Sequence, residues 1–116
     1  MNTALAILET DGTVTPVENL EQWAAWYKAD ADNRRIGLTK FNGEDIVIST
    51  VFLGIDHSFA ISNKPIWFET MVFGGKMDGF TKRYTTIEDA RAGHYATVET
   101  VKLTEKLTTP TSETLR

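Results

Sequence analysis

The sequence contains no cysteine among its 116 residues. This absence excludes a disulfide framework, a thiolate zinc site and a cysteine nucleophile. A run of about 20 apolar residues, which a membrane-spanning helix requires, is also missing. The apolar stretch near the N-terminus, Ala4 to Leu8, follows no basic region, so we expect neither a signal peptide nor a membrane partner. We therefore expect a cytoplasmic protein.

Basic residues are few: the 12 Lys and Arg residues are outnumbered by 16 Asp and Glu residues, and the net charge is −4. Proteins that hold duplex nucleic acid neutralise its phosphates with excess positive charge, so duplex nucleic acid is not an expected partner. A hydrophobic fraction of 41% is typical of a folded chain. The length predicts one domain over residues 1–103, and the threonine-rich residues 104–116 predict a flexible tail.

Alternating and continuous apolar patterns predict several extended segments. The Asp11-Gly12 turn favours a first hairpin or edge strand, and Asn42-Gly43 is a strong hairpin signal because both residue types tolerate positive φ. The segment from Ile46 to Leu53 is apolar on both alternating faces, which is typical of a central strand covered on both sides. The main strands are predicted at residues 36–41, 45–53, 66–73 and 80–84.

Two segments have helical periodicity. In the first, Asn19 is a candidate N-cap, and an apolar stripe follows at Leu20, Trp23, Ala24 and Tyr27. In the second, Thr85 and Glu88 have the spacing of a capping box. Its apolar stripe is formed by Ile87, Ala90, His94, Val98 and Val101. The predicted fold is α+β, an antiparallel sheet of four to five strands with two helices packed on one face.

Asp56 and His57 lie in the loop after the predicted central strand, where binding and catalytic residues often occur. Together with Glu69 and His94 they supply ligand types suited to zinc, or a general base for a small metal-dependent enzyme. The spacing lacks any HxH or HxxxH pattern. The favoured interpretation is therefore structural: Asp56 caps a turn, and His94 is a buried core residue. No cofactor, metal ligand set or catalytic residue is predicted.

Glu69 is an acid inside an otherwise apolar predicted strand, and an unpaired buried charge is costly. Arg83 in the next strand is its natural cross-strand partner, so a structural ion pair is expected. The glycine turn Gly74-Gly75-Lys76 leads to a strand rather than a helix, which excludes a Walker-type phosphate loop. Its amides and Lys76, with Arg83 and Tyr84, remain candidates for binding an anion such as a nucleotide.

Three stretches of the second half occur together in a distinctive combination. They are residues 49–57 (STVFLGIDH), residues 68–75 (FETMVFGG), and Arg83-Tyr84-Thr85-Thr86 with Ala90 and Gly93-His94. The combination resembles a family of small uncharacterised proteins encoded by tailed bacteriophages and prophages. The likeness covers about residues 49–98, and family members usually carry Trp where Ile87 stands. The resemblance implies an accessory protein in the cytoplasm of an infected bacterial host, which binds a host protein or blunts a defence system.

Two main functional hypotheses follow. The first is a non-enzymatic protein that binds a host factor, with a homodimer expected because two helices cannot cover both faces of a doubly apolar strand. The second is a binding protein that sequesters a small nucleotide signal. The nucleotide hypothesis uses Lys76, Arg83 and Tyr84. The full set of ligand- or partner-binding candidates is Asp56, His57, Glu69, Lys76, Arg83 and Tyr84.

Overall fold

A computed structural model describes residues 4–29, 31–58 and 63–116 of the chain. Its elements, in chain order, are β1 (Ala6–Leu8), β2 (Val14–Pro16), α1 (Leu20–Ala29), a 3-10 helix (Ala31–Arg34), β3 (Arg35–Phe41), β4 (Ile46–Phe52), β5 (Phe68–Phe73), β6 (Thr81–Tyr84), α2 (Ile87–Glu105) and β7 (Ser112–Leu115). Strands β1 and β2 form a small antiparallel hairpin. The other five strands form one antiparallel sheet in the order β6-β5-β4-β3-β7. The predicted α+β fold is confirmed.

Strand β4 lies at the centre of this sheet, and its side chains alternate between two faces. One face is buried under α2 and carries Ile46, Ile48, Thr50 and Phe52, whereas the alternate residues are only partly buried. We call these the covered face and the open face. Two apolar clusters fill the space between the covered face and the helices, one centred on Phe52 and Phe68 and the other on Phe41 and Ile48.

The hairpin between β3 and β4 confirms the Asn42-Gly43 signal. Asn42 has φ 51° and Gly43 has φ 73°, the left-handed region in which glycine and asparagine are tolerated. The loop between the strands is longer than the two residues expected, because Phe41 pairs with Ile46 and the amide of Asp45 donates to the Asn42 carbonyl.

Helix α1 begins as predicted, with the side chain of Asn19 accepting a hydrogen bond from the amide of Gln22. Its contacts differ from the predicted stripe, because Leu20 is 63% exposed and no residue of the helix is fully buried. Trp26 instead meets Phe52 edge to face, and the indole of Trp23 donates to the carbonyls of Ala6 and Gly54. Helix α1 therefore contacts the rest of the fold through long aromatic side chains.

Helix α2 lies along the covered face, and the whole predicted stripe is buried there. Its N-cap is Thr86 rather than Thr85: the Thr86 hydroxyl accepts a hydrogen bond from the amide of Asp89. The helix continues to Glu105 and ends at Lys106, which has φ 58°. The capping box was therefore predicted one residue too early.

The chain beyond α2 differs from the predicted flexible tail of residues 104–116. Leu107 packs against the second apolar cluster, and β7 pairs with β3 as the edge strand of the sheet. Composition indicated a tail because β7 has no apolar stripe of its own. Its attachment comes from main-chain pairing with a strand more than 70 residues earlier, which local composition cannot reveal.

Candidate functional site

Asp56 and His57 hold their loop together. One carboxylate oxygen of Asp56 accepts hydrogen bonds from the amides of Ser58, at 2.8 Å, and Ile66, at 2.9 Å. Burial acts to raise the pKa of Asp56, but these amide hydrogen bonds outweigh it, and the pKa lies below its ordinary value. The Nδ1 atom of His57 lies 2.9 Å from the carbonyl oxygen of Ile55. These contacts agree with the structural interpretation, in which Asp56 caps a turn.

Glu69 and Arg83 form the predicted cross-strand pair. They are opposite each other in the register of β5 and β6, and Arg83 Nε lies 2.8 Å from Glu69 Oε2. The Glu69 side chain is 14% exposed and the Arg83 side chain 48% exposed. The pair lies on the open face, because Glu69 is also opposite Val51. The Arg83 guanidinium is the more exposed member of the pair, so it is accessible to a contacting molecule.

The glycine turn at residues 74–79 directs its amides at carboxylates. The amide of Gly74 donates to Asp78 at 2.7 Å, and that of Lys76 donates to Glu105 at 3.1 Å. The carboxylates of Asp78 and Glu105 thus already bind two of the main-chain amides that were predicted to bind an anion. Arg83 and Tyr84 are adjacent in β6 and point to opposite faces of the sheet, Arg83 on the open face and Tyr84 buried under α2. The predicted nucleotide-binding residues are therefore not brought together.

His94 lies under α2 on the covered face and is 2% exposed, whereas Glu69 lies on the open face. The sheet separates these two side chains, and the Asp56 loop follows the end of β4. In the described part of the chain, no group of three or more His, Asp or Glu side chains is arranged to hold a metal ion.

A chain of buried polar side chains crosses the covered face instead. It contains one residue from every strand of the five-stranded sheet, in the spatial order of the strands, with one helix residue inserted between β4 and β3. Its members are Tyr84 (β6), Thr70 (β5), Thr50 (β4), His94 (α2), Thr39 (β3) and Glu113 (β7). We call this set the polar chain. Only Glu113 among its members is exposed.

The hydrogen bonds of the polar chain run in one direction. Thr39 lies 3.3 Å from Glu113 and donates its only hydroxyl proton to that carboxylate. The His94 Nε2 atom, 2.9 Å from the Thr39 oxygen, must then carry a proton, and Nδ1 must accept from Thr50 at 2.7 Å. The protein therefore holds neutral His94 as the Nε2–H tautomer.

The remaining links continue the same direction. The hydroxyls of Thr50 and Thr70 lie 2.5 Å apart, and because the Thr50 proton points to His94, Thr70 donates to Thr50. The phenol of Tyr84 donates to Thr70 at 3.1 Å. Every buried member thus finds a partner for its proton, and hydrogen bonds aligned in this way strengthen one another.

Two glycines make room for the polar chain. A Cβ on Gly37 would lie 2.9 Å from ring atoms of His94, and a Cβ on Gly93 would lie 2.1 Å from the Tyr84 hydroxyl oxygen. Both distances are shorter than van der Waals contact allows, so each position requires glycine for steric reasons.

Burial lowers the pKa of His94, against a smaller opposing effect of the Glu113 charge. The sequence predicted a core histidine, and the structure confirms one with both ring nitrogens bonded. Sequence reasoning missed the three threonines, although a polar residue near the middle of each of three neighbouring strands was a usable signal. Glu113 could not be recognised in the same way, because it lies beyond α2 in a segment whose composition predicted no strand.

The open face carries five apolar side chains where an antiparallel sheet usually presents polar ones to water. Register with the half-buried residues of β4 places them there: Leu38 from β3, Val47 and Val51 from β4, and Met71 and Phe73 from β5. We call this set the apolar patch. Phe73 is 48% exposed. Lys40 from β3 and the Glu69–Arg83 pair border the patch.

A cleft of about 400 Å³ lies between the β1–β2 turn and the start of α2. Asp11, Trp67 and Glu88 are among its lining residues, and none of the predicted site residues lines it. Two acids at an open cleft do not define a ligand, so this cleft carries no functional conclusion.

None of the helices in the described ranges is both long and apolar enough to cross a membrane. Comparisons of the chain with protein-family models, with curated proteins and with solved structures found no match. Its function therefore has to be argued from its own residues.

Proposed function

We propose that this chain is a non-enzymatic binding protein, and that the apolar patch on the open face is the surface that contacts a protein partner. The observation that carries the proposal is the face itself: five apolar side chains lie together on the side of the sheet opposite α2. Phe73 is exposed and the other four side chains are partly buried, and apolar side chains gathered on one solvent-facing surface are typical of interaction sites.

The border of the patch supports the same proposal. Protein interfaces combine an apolar centre with a polar rim that fixes orientation. Here the rim is supplied by the Glu69–Arg83 pair on one side and by Lys40, which is paired with Glu44, on the other. Glu69 and Arg83, two residues predicted from the sequence to contact a partner, thus lie beside the patch. The Asp56 carboxylate, the Tyr84 hydroxyl and the main-chain amide of Lys76 are engaged in contacts of the fold.

The resemblance to phage-encoded accessory proteins would make the partner a host protein, and a counter-defence role is one form that this binding could take. The contacts of the described residues favour neither a nucleotide nor a metal-dependent reaction over this proposal. The glycine-turn amides already bind carboxylates, and His94 is enclosed by hydroxyl groups.

The test is site-specific photo-crosslinking in bacterial cells. A photo-reactive phenylalanine analogue replaces Phe73 in one version of the chain and Tyr95 in a matched control. Tyr95 is 65% exposed on α2, away from the patch, so the control has comparable accessibility. Crosslinked proteins are identified by mass spectrometry.

We expect a discrete crosslinked protein from position 73 that is absent from position 95. Replacing Val51 by Lys in the position-73 version should remove that product, because a buried charge in the contact is costly. No product from position 73, or the same products from both positions, would contradict the proposal. A product made of two copies of this chain would identify the partner as a second copy.

A further inference from the structure

Strand β7 is attached to the sheet without burying an apolar side chain. All four of its residues are exposed, and Leu115 is 55% exposed. Its main chain pairs with β3 from Lys40↔Ser112 to Gly37↔Leu115. Further bonds of 2.7 Å join Thr111 to Lys40 and Arg116 to Ile36. The segment is thus held in the way that a bound extended peptide is held, mainly by main-chain hydrogen bonds.

Three side chains of residues 111–116 bind groups outside the segment. The hydroxyl of Thr111 accepts from the amide of Gly43 at 2.9 Å, and the other two side chains are charged. Glu113 accepts from Thr39, the end of the polar chain, at 3.3 Å. Arg116 donates to the carbonyl of Glu9 at 2.6 Å and also to the carbonyl of Asn33. An acid and an arginine three residues later therefore meet an oriented hydroxyl and two main-chain oxygens.

The receptor side of this contact is built by the rest of the fold. The Thr39 hydroxyl lies 2.9 Å from Nε2 of His94, and Nδ1 of the same ring lies 2.7 Å from the Thr50 hydroxyl. Arg91 on α2 donates to the backbone oxygen of Arg116 at 2.8 Å. Thr39, Thr50, His94 and Arg91 belong to elements that contain buried side chains, whereas the carbonyls of Glu9 and Asn33 lie in exposed segments.

We propose that the β3 edge is a strand-accepting site that the chain fills with its own β7, and that an extended segment of another protein bearing Glu-x-x-Arg can replace it. The site recognises that pattern through Thr39 on one side and the carbonyls of Glu9 and Asn33 on the other. It lies at the edge of the sheet rather than on the apolar patch, so it stands independently of the proposed function.

The chain's own β7 competes with any added peptide for the β3 edge. Because β7 is tethered, its effective concentration is high, in the millimolar range. A peptide in trans should therefore bind weakly to the wild-type chain and better to a full-length chain with a weakened β7. The double substitution Glu113→Gln and Arg116→Gln supplies that chain, because it removes the charged contact of Glu113 with Thr39 and those of Arg116 with the Glu9 and Asn33 carbonyls.

The probe is a fluorescent peptide of residues 109–116, titrated into both full-length proteins and followed by anisotropy. We expect affinity for the doubly substituted chain to exceed that for the wild type by about tenfold or more, since each lost charged hydrogen bond favours release of the tethered strand. A peptide with Gln in place of Glu113 should bind roughly tenfold more weakly than the natural one. A peptide with Ala in place of Thr114 is the control and should bind as the natural one does.

Equal affinity of the Glu113→Gln and natural peptides, or no binding to the doubly substituted chain, would overturn the proposal. Hydrogen exchange on the wild-type protein gives a second reading that needs no variant. The amides of Thr111 and Arg116, which are bonded to the carbonyls of Lys40 and Ile36, should exchange much faster than those of β4, which shows release of the segment without global unfolding. Equal protection of these amides and those of β4 would also overturn the proposal.

Discussion

The side chain of Tyr84 determines which residue type can stand at position 93 of α2. The Tyr84 hydroxyl reaches under α2 to Thr70, and the space it occupies is the space that a side chain at position 93 would take. Glycine in the middle of a helix is unfavourable by up to about 1 kcal/mol relative to alanine. Glycine is nevertheless favoured at position 93, because a side chain there would clash with the Tyr84 hydroxyl of the polar chain.

We expect Gly93→Ala to destabilise the protein by about 1–3 kcal/mol, although alanine is the better helix former. The added methyl group would lie 2.1 Å from the Tyr84 oxygen, so either the tyrosine or the helix must shift. Urea unfolding followed by circular dichroism measures the change. An increase in stability would show that the helix and Tyr84 are not in contact.

Because burial lowers the pKa of His94, the stability of the protein should fall as the pH falls. Above about pH 6.5 the ring is neutral in both the folded and the unfolded chain. Below that pH the unfolded chain takes up a proton, whereas the folded chain resists because its His94 pKa is lowered. Stability should therefore decline as the pH falls from 6.5 towards the pKa of the folded state, by at most about 1.4 kcal/mol per pH unit.

The matched variant is His94→Gln, which removes the titrating group. It should be less stable than the wild type near pH 7.5, because two hydrogen bonds of the polar chain change, but it should lack the His94 part of the decline. Urea unfolding at pH 7.5 and pH 5.5 measures both. An equal loss in the two proteins between these pH values would contradict the prediction.

Helix α2 shows how far local patterns define an element. Its buried stripe was read correctly from the sequence, because a residue that faces a sheet must recur with the period of the helix. Its first residue was misjudged, since Thr85 and Thr86 are both suitable caps and each is followed three residues later by an acid. Only the entry direction of the chain from β6 selects Thr86.

We therefore expect Thr86→Ala to cost about 1 kcal/mol of stability, because the amide of Asp89 loses its acceptor. Thr85→Ala is the matched control and should cost less than half as much. Thermal or urea unfolding of the two variants measures the difference. If Thr85→Ala were the more damaging change, the cap assignment would be wrong.

Over the ranges that the structure describes, the five-stranded sheet has its helices on one face. Helix α2, of 19 residues, lies along the covered face, and helix α1, of 10 residues, contacts Phe52 on that face through Trp26. The apolar patch lies on the other face. The sequence predicted a homodimer from this imbalance between doubly apolar strands and helices. That assembly stays a prediction.

We expect a concentration-dependent dimer that forms through the apolar patch, measured by size-exclusion chromatography with light scattering. Phe73→Asp should shift the protein to the monomer, because charge is placed in the contact, and Tyr95→Asp on α2 should leave the dimer intact. A wild-type monomer at tens of micromolar would rule the homodimer out and leave the patch to a different protein.

By itself, the sequence determined the class of fold, the main strands, the buried stripe of α2 and the Glu69–Arg83 pair. These follow from periodicity and from charge pairing between successive strands, which are local quantities. Tertiary structure alone decided that threonines from three strands and His94 share one row of hydrogen bonds, and that Glu113 completes it. Such contacts join residues 20 to 74 positions apart, and only the register of the folded sheet brings them together.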